Sequence, residues 1–204
     1  MQETRKTTKN NKPGVSNKGN RSIPAFRAVF WMALCMLGTA HPVQAEGAQP
    51  STILPGAVSM HMGFGDGYKR ATLSWESAPL WSYQFSGRGG RLDLTGELGV
   101  SYWWANKDRN PRNAWQLSAI PMLRYWATEK FYLEAGIGAT VFSGSGFAGK
   151  NISTAYQFGD HVGAGYQITP SDRIGVRYSH FSNAGIKRPN PGLDIIQVTY
   201  TRKF

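Results

Sequence analysis

Between residues 92 and 104 the side chains alternate. Leu92, Leu94, Gly96, Leu98, Val100, Tyr102 and Trp104 fall on one parity; Asp93, Thr95, Glu97, Gly99, Ser101 and Trp103 fall on the other. A period of two sustained over a dozen residues is a β-strand with one apolar and one polar face, and it leaves no room for a helix. The same pattern recurs. Phe131, Leu133, Ala135, Ile137, Ala139 and Val141 alternate with Tyr132, Glu134, Gly136, Gly138, Thr140 and Phe142. Trp115, Leu117, Ala119, Pro121, Leu123 and Tyr125 form a third set, and Ile196, Val198 and Tyr200 a last one. Weaker versions run over residues 58–64, 69–77, 156–168 and 173–182. Eight candidate strands result, separated by turn-forming pieces such as Gly65-Asp66-Gly67, 87–90, 127–130 and 169–172.

These strands average about ten residues, where about five or six is usual in a soluble sheet, and tilted strands of about 9–11 residues are what a bilayer requires. The faces differ accordingly. One carries Leu, Ile, Val and Ala, closed by aromatics (Tyr102 and Trp104, Trp115 and Tyr125, Phe131); the other carries Gly, Ser, Thr, Gln and Glu. Aromatic girdles around an apolar outer band mark a membrane barrel, whereas a soluble barrel turns its apolar face inward. The chain ends on Phe204 with Tyr200, Val198 and Ile196 upstream on its parity, which resembles the ending of bacterial outer-membrane barrels. The expected fold is therefore all-β: an eight-stranded antiparallel transmembrane β-barrel over residues 46–204.

The N-terminal segment agrees with export. The chain of 204 residues has a formal charge of +11, which invites a nucleic-acid partner. Seven basic residues against Glu3 place +6 of that charge within residues 1–27. The apolar run 28–40 follows, then His41-Pro42-Val43-Gln44-Ala45. A basic region, a short apolar region and a small-x-small site make a cleaved signal peptide, 1–45; the apolar run is too short for the ~20 residues of a spanning helix. The mature chain would have 159 residues at +5, and the case for a nucleic-acid partner leaves with the signal. So does Cys35, the only cysteine, which excludes a disulfide scaffold or a Cys-cluster zinc site. With both termini periplasmic, 169–172 fits a short periplasmic turn, and 142–153 and 183–193 fit longer outer loops.

One outer strand end carries chemistry. Ile174, Val176, Tyr178, His180 and Ser182 share the apolar, lipid-facing parity. Residues i and i+2 of a strand are neighbours on one face, so His180 can serve Ser182 as general base. Two polar residues at headgroup level are the plainer reading of such a pair. Two acids compete to orient the imidazole: Asp194, which opens the last strand on its outward parity, and Asp160, on the parity of Val162 and Ala164. Asn183 and the backbone of Ala184-Gly185 are candidate oxyanion donors. Lys187 and Arg188 suit anionic headgroups, and equally a solvated basic loop. His61, His161 and His180 fall on separate strands, so no metal is expected. His161, Glu97 and Glu134 read as lumen residues, with Arg124 a partner by parity.

The segment His180-Phe181-Ser182-Asn183-Ala184-Gly185-Ile186-Lys187-Arg188-Pro189-Asn190-Pro191-Gly192 resembles the active-site segment of the PagL lipid A 3-O-deacylases, and a weaker likeness runs along the mature chain, as at 131–138. The resemblance implies an esterase of the outer membrane that needs no cofactor and acts on lipopolysaccharide at the barrel exterior. It implies His180 as base, Ser182 as nucleophile, and Asn183 with Gly185 as oxyanion stabilisers. The family's acid is a glutamate at the position of Asp194, one methylene longer than aspartate; Gly192-Leu193 reads as ordinary variation. The competing readings are a non-enzymatic structural or adhesion-type barrel and a soluble lipid carrier. A homodimer stays open.

Overall fold

The computed structural model describes residues 56–204 apart from Arg88; the signal segment 1–45 and its lead-in 46–55 lie outside the described residues. Each alternating stretch becomes a strand: β1 (Gly56–Gly65), β2 (Tyr68–Ser77), β4 (Arg91–Ala105), β5 (Asn113–Trp126), β6 (Phe131–Phe142), β9 (Tyr156–Gln167), β10 (Asp172–Ser182) and β11 (Leu193–Lys203). Each pairs antiparallel with its neighbours, β1 with β11 and β2 with β4, so the eight close into a barrel with no free wall edge.

Three short elements sit outside that pattern. The connection after β2 is not the short turn expected for that end. It carries β3 (Trp81–Gln84), which continues the line of β2 along β4: Glu76 pairs with Glu97, and Trp81 resumes at Leu94. The reason is length. β4 has 15 residues and β2 has 10, so the first residues of β4 would present bare backbone without β3. Pro79, unable to donate to the ladder, marks the break between β2 and β3. At the opposite end β7 (Gly146–Phe147) and β8 (Lys150–Asn151) form a small hairpin. Its two turn residues, Ala148 and Gly149, both have positive φ, as a tight two-residue hairpin requires.

The parity of the strands sorts the side chains. Outside, Met60, Leu117, Val176 and Val198 are each more than half exposed, an apolar surface that a bilayer would cover. Aromatics close it at both ends: Tyr102, Trp104 and Trp115 in contact at one, Trp81, Tyr83, Phe85 and Tyr125 in a ladder at the other. Inside, the β7–β8 end is plugged by Tyr68, Trp103, Phe142, Phe147, Ile152, Phe181, Leu193 and Ile195. Below the plug the interior is ionic. Arg124 holds Glu76 at 2.8 Å and Glu134 at 3.1 Å; Arg173 also holds Glu76 at 2.9 Å; Arg177 joins Glu134 at 2.8 Å to Glu97 at 2.9 Å. Three carboxylates thus face three guanidinium groups, which is how buried charge is tolerated. Glu97, Glu134 and Arg124 lie inside as their parity requires; Glu76, Arg173 and Arg177 complete a network that alternation alone does not reveal.

Candidate active site

The loop end of β10 builds the site. Ser179 and Phe181 are fully buried inside the wall, so Tyr178, His180 and Ser182 project outward between β9 and β11. Register places His180 directly between Asp160 on β9 and Asp194 on β11. Only one of the two acids reaches the ring: Asp194 Oδ1 lies 2.7 Å from His180 Nδ1, and no hydrogen bond joins Asp160 to the imidazole. A carboxylate only accepts, so Nδ1 carries the proton and Nε2 is left as the basic nitrogen. The Ser182 hydroxyl stands two residues along the same face. It makes no hydrogen bond to the ring here, a gap that typically closes when substrate is bound. The same Asp194 oxygen also accepts the Tyr178 hydroxyl at 2.5 Å.

The segment after Ser182 turns sharply. Ile186 N donates to Asn183 O at 3.0 Å, and Ala184 and Gly185, between them, have φ of 53° and 83°. Asn183 builds this turn. Its side chain is fully buried, its amide nitrogen donates to Lys187 O at 2.8 Å and Ile152 O at 3.2 Å, and its Oδ1 accepts from Gly185 N at 2.9 Å. In this arrangement the donors of Asn183 and Gly185, the residues expected to stabilise an oxyanion, are engaged in holding the loop. The Ala184 N–H has no acceptor among the described residues.

Lys187 and Arg188 are exposed on this loop and form no ion pair among the described residues. A third cation was not visible in the sequence. Lys150, on the β7–β8 hairpin, reaches Gly192 O at 3.3 Å, and Ser153 Oγ from the same connection donates to Pro189 O at 2.6 Å. The hairpin that plugs the lumen therefore also braces the loop of the site. Gly192 is more than ordinary variation. Its φ is +68°, and a Cβ there would stand 2.6 Å from His180 Cε1 and 3.3 Å from Nε2. Gly192→Ala should therefore displace the imidazole, lowering turnover by about tenfold or more with the barrel still folded; unchanged turnover in a folded variant would contradict this. His161 lies inside the wall, its Nδ1 2.7 Å from Ser179 Oγ, on the far side from His180. Among the described residues no group of three or more His, Cys, Asp or Glu side chains could hold a metal ion.

Residues 67–203 match the family model described as lipid A 3-O-deacylase (PagL). The chain is 58% identical over 184 residues to lipid A deacylase PagL of Bordetella bronchiseptica, covering 90% of this chain and 97% of that protein. It is 31% identical over 172 residues to lipid A deacylase PagL of Pseudomonas aeruginosa, covering 82% and 92% respectively. A crystal structure of the outer membrane enzyme PagL superposes with a TM-score of 0.65 at 28% identity, covering 72% of this chain and 99% of the other. On the extent of these matches, the chain belongs to the PagL family of lipid A 3-O-deacylases, outer-membrane β-barrel enzymes.

Proposed function

We propose that the protein hydrolyses the ester-linked 3-hydroxyacyl chain at position 3 of lipid A in the outer leaflet, through Ser182, His180 and Asp194 on the lipid-facing side of the wall. The observation that carries this reading is the 2.7 Å contact between His180 and Asp194 on the same outward face as Ser182. A structural barrel gains nothing from an ionisable pair there, where desolvation penalises it.

The reaction follows from position. An acyl chain in the leaflet brings its ester carbonyl beside Ser182. Oγ attacks the carbonyl carbon as His180 Nε2 takes its proton, and Asp194 stabilises the imidazolium that forms. The tetrahedral oxyanion needs a donor, and the Ala184 N–H is the main-chain group left for it. Gly185 N–H joins only if it releases Asn183 Oδ1. Collapse breaks the ester C–O bond, and His180 returns the proton to the departing sugar oxygen. Water, deprotonated by His180, then releases the 3-hydroxy fatty acid and restores Ser182. Lys187, Arg188 and Lys150 offer positive charge to the phosphates of the headgroup. Residues 1–45 would deliver the chain to export, with the loops of the site facing outward.

The test is the mass of lipid A from cells expressing the protein, and of purified lipid A incubated with it. Loss of one 3-hydroxyacyl group is expected, and unchanged lipid A in both settings would sink the proposal. In the same assay Asp194→Ala should lose at least tenfold more activity than Asp160→Ala, because only Asp194 bonds the imidazole. The reverse order would reassign the acid.

A further inference from the structure

Asp194 sits where the barrel seam runs out. β1 and β11 pair only as far as Phe64 and Ile196, so the ladder ends two residues short of Asp194. The peptide groups of Asp194 nevertheless find a partner. Tyr68 Oη accepts the Asp194 N–H at 2.9 Å and donates to the Asp194 carbonyl at 2.9 Å. Tyr68 belongs to β2, one strand beyond β1, and its ring must cross β1 to arrive there. Gly65 makes the crossing available: a Cβ at that position would collide with both the Tyr68 ring and the Asp194 carbonyl. On the other face of the wall, Tyr178 donates at 2.5 Å to the carboxylate oxygen that His180 Nδ1 also meets at 2.7 Å. The acid is thus held by one tyrosine through its main chain and by another through its side chain.

We infer that Tyr178 is a positioning residue for Asp194, and that Tyr68, passing through the Gly65 slot, fixes the main chain from which that carboxylate extends. The inference rests on the deacylase reading above. The chemistry is that of a carboxylate at a lipid boundary. Its second donor offsets part of the desolvation that a single imidazole N–H leaves uncompensated. Two donors converging on one oxygen also fix the rotation of a short side chain, and so the direction in which the imidazole presents Nε2 to Ser182. A tyrosine at this level of the wall also serves as a girdle aromatic, and the test must separate the two roles.

Tyr178→Phe keeps the ring and removes only the hydroxyl. With purified protein and lipid A in mixed micelles, kcat should fall by about tenfold at unchanged KM, the loss of one charge-assisted hydrogen bond expressed in the transition state. In the Asp194→Ala background, where long incubations read the residual turnover, the same substitution should change kcat by less than about twofold, since the two act through one interaction. Tyr68→Phe should lower kcat in the same way, with heat-modifiable gel migration confirming a folded barrel. Wild-type kcat in Tyr178→Phe would overturn the inference. So would an equal loss in both backgrounds, or a change in KM alone. These failures differ from failure of the deacylase reading itself, in which the wild-type protein releases no fatty acid and both fall together.

Discussion

Ser182→Ala and His180→Ala should each stop release of the 3-hydroxy fatty acid, a loss on the order of 10³-fold or more, while the barrel folds as before. Both side chains project from the wall, and neither belongs to the ionic interior or the apolar plug, so folding does not depend on them. Chemistry does. Without the Ser182 hydroxyl no acyl-enzyme forms; without His180 the hydroxyl stays protonated and the sugar oxygen departs without a proton. Residues that act as a unit are strongly non-additive, so the double substitution should cost little more than either single one. Mass spectrometry of lipid A provides the reading, and heat-modifiable migration the folding control. Retention of activity within tenfold of wild type in a folded Ser182→Ala protein would remove Ser182 as nucleophile.

Arg177→Ala should instead damage the barrel. Arg177 gives both Glu97 oxygens a partner, at 3.0 and 2.9 Å, and no other ion pair reaches Glu97 among the described residues. It also holds Glu134, which keeps Arg124. Deleting one partner of a buried pair typically costs about 3–5 kcal/mol, a large part of the ~5–15 kcal/mol by which a domain is stable. The loss should appear as a lower urea midpoint of refolded protein in detergent. Arg177→Met combined with Glu97→Gln should recover much of it, because the stranded charge is gone while Glu134 retains Arg124. A midpoint unchanged in Arg177→Ala would mean that water, and not Arg177, compensates Glu97.

The wall was legible because a barrel strand records in its parity which solvent each side chain meets. That is why residues as far apart as Leu92 and Val198 sort correctly, and why His180 and Ser182 stand out: they are polar on a face otherwise apolar. Parity carries no information on reach. Parity and register leave both Asp160 and Asp194 level with His180, and the sequence favours Asp194 only through the family resemblance; which one closes on Nδ1 is a matter of side-chain geometry. Asn183 reads in the sequence as a candidate donor, and nothing there shows that its buried amide would donate to Ile152, a residue of another loop. β3 escaped notice because four residues after Pro79 carry too little alternation to read as a strand. Tyr68 falls one residue outside the alternation at 69–77, so nothing in the sequence shows its ring passing Gly65.

The groups proposed for catalysis stand on the outside of the wall, and the lumen is filled by an apolar plug above a set of ion pairs. Nothing therefore has to enter the protein to be transformed. On the proposed mechanism a substrate approaches sideways, by diffusion in the plane of the leaflet, and the encounter is two-dimensional. The concentration that governs the rate is the number of substrate molecules per unit area around the barrel, so neighbouring lipids act as diluent and competitor at once. The membrane itself would then become part of the proposed active site, since its packing would decide how often an ester is lifted to the level of Ser182.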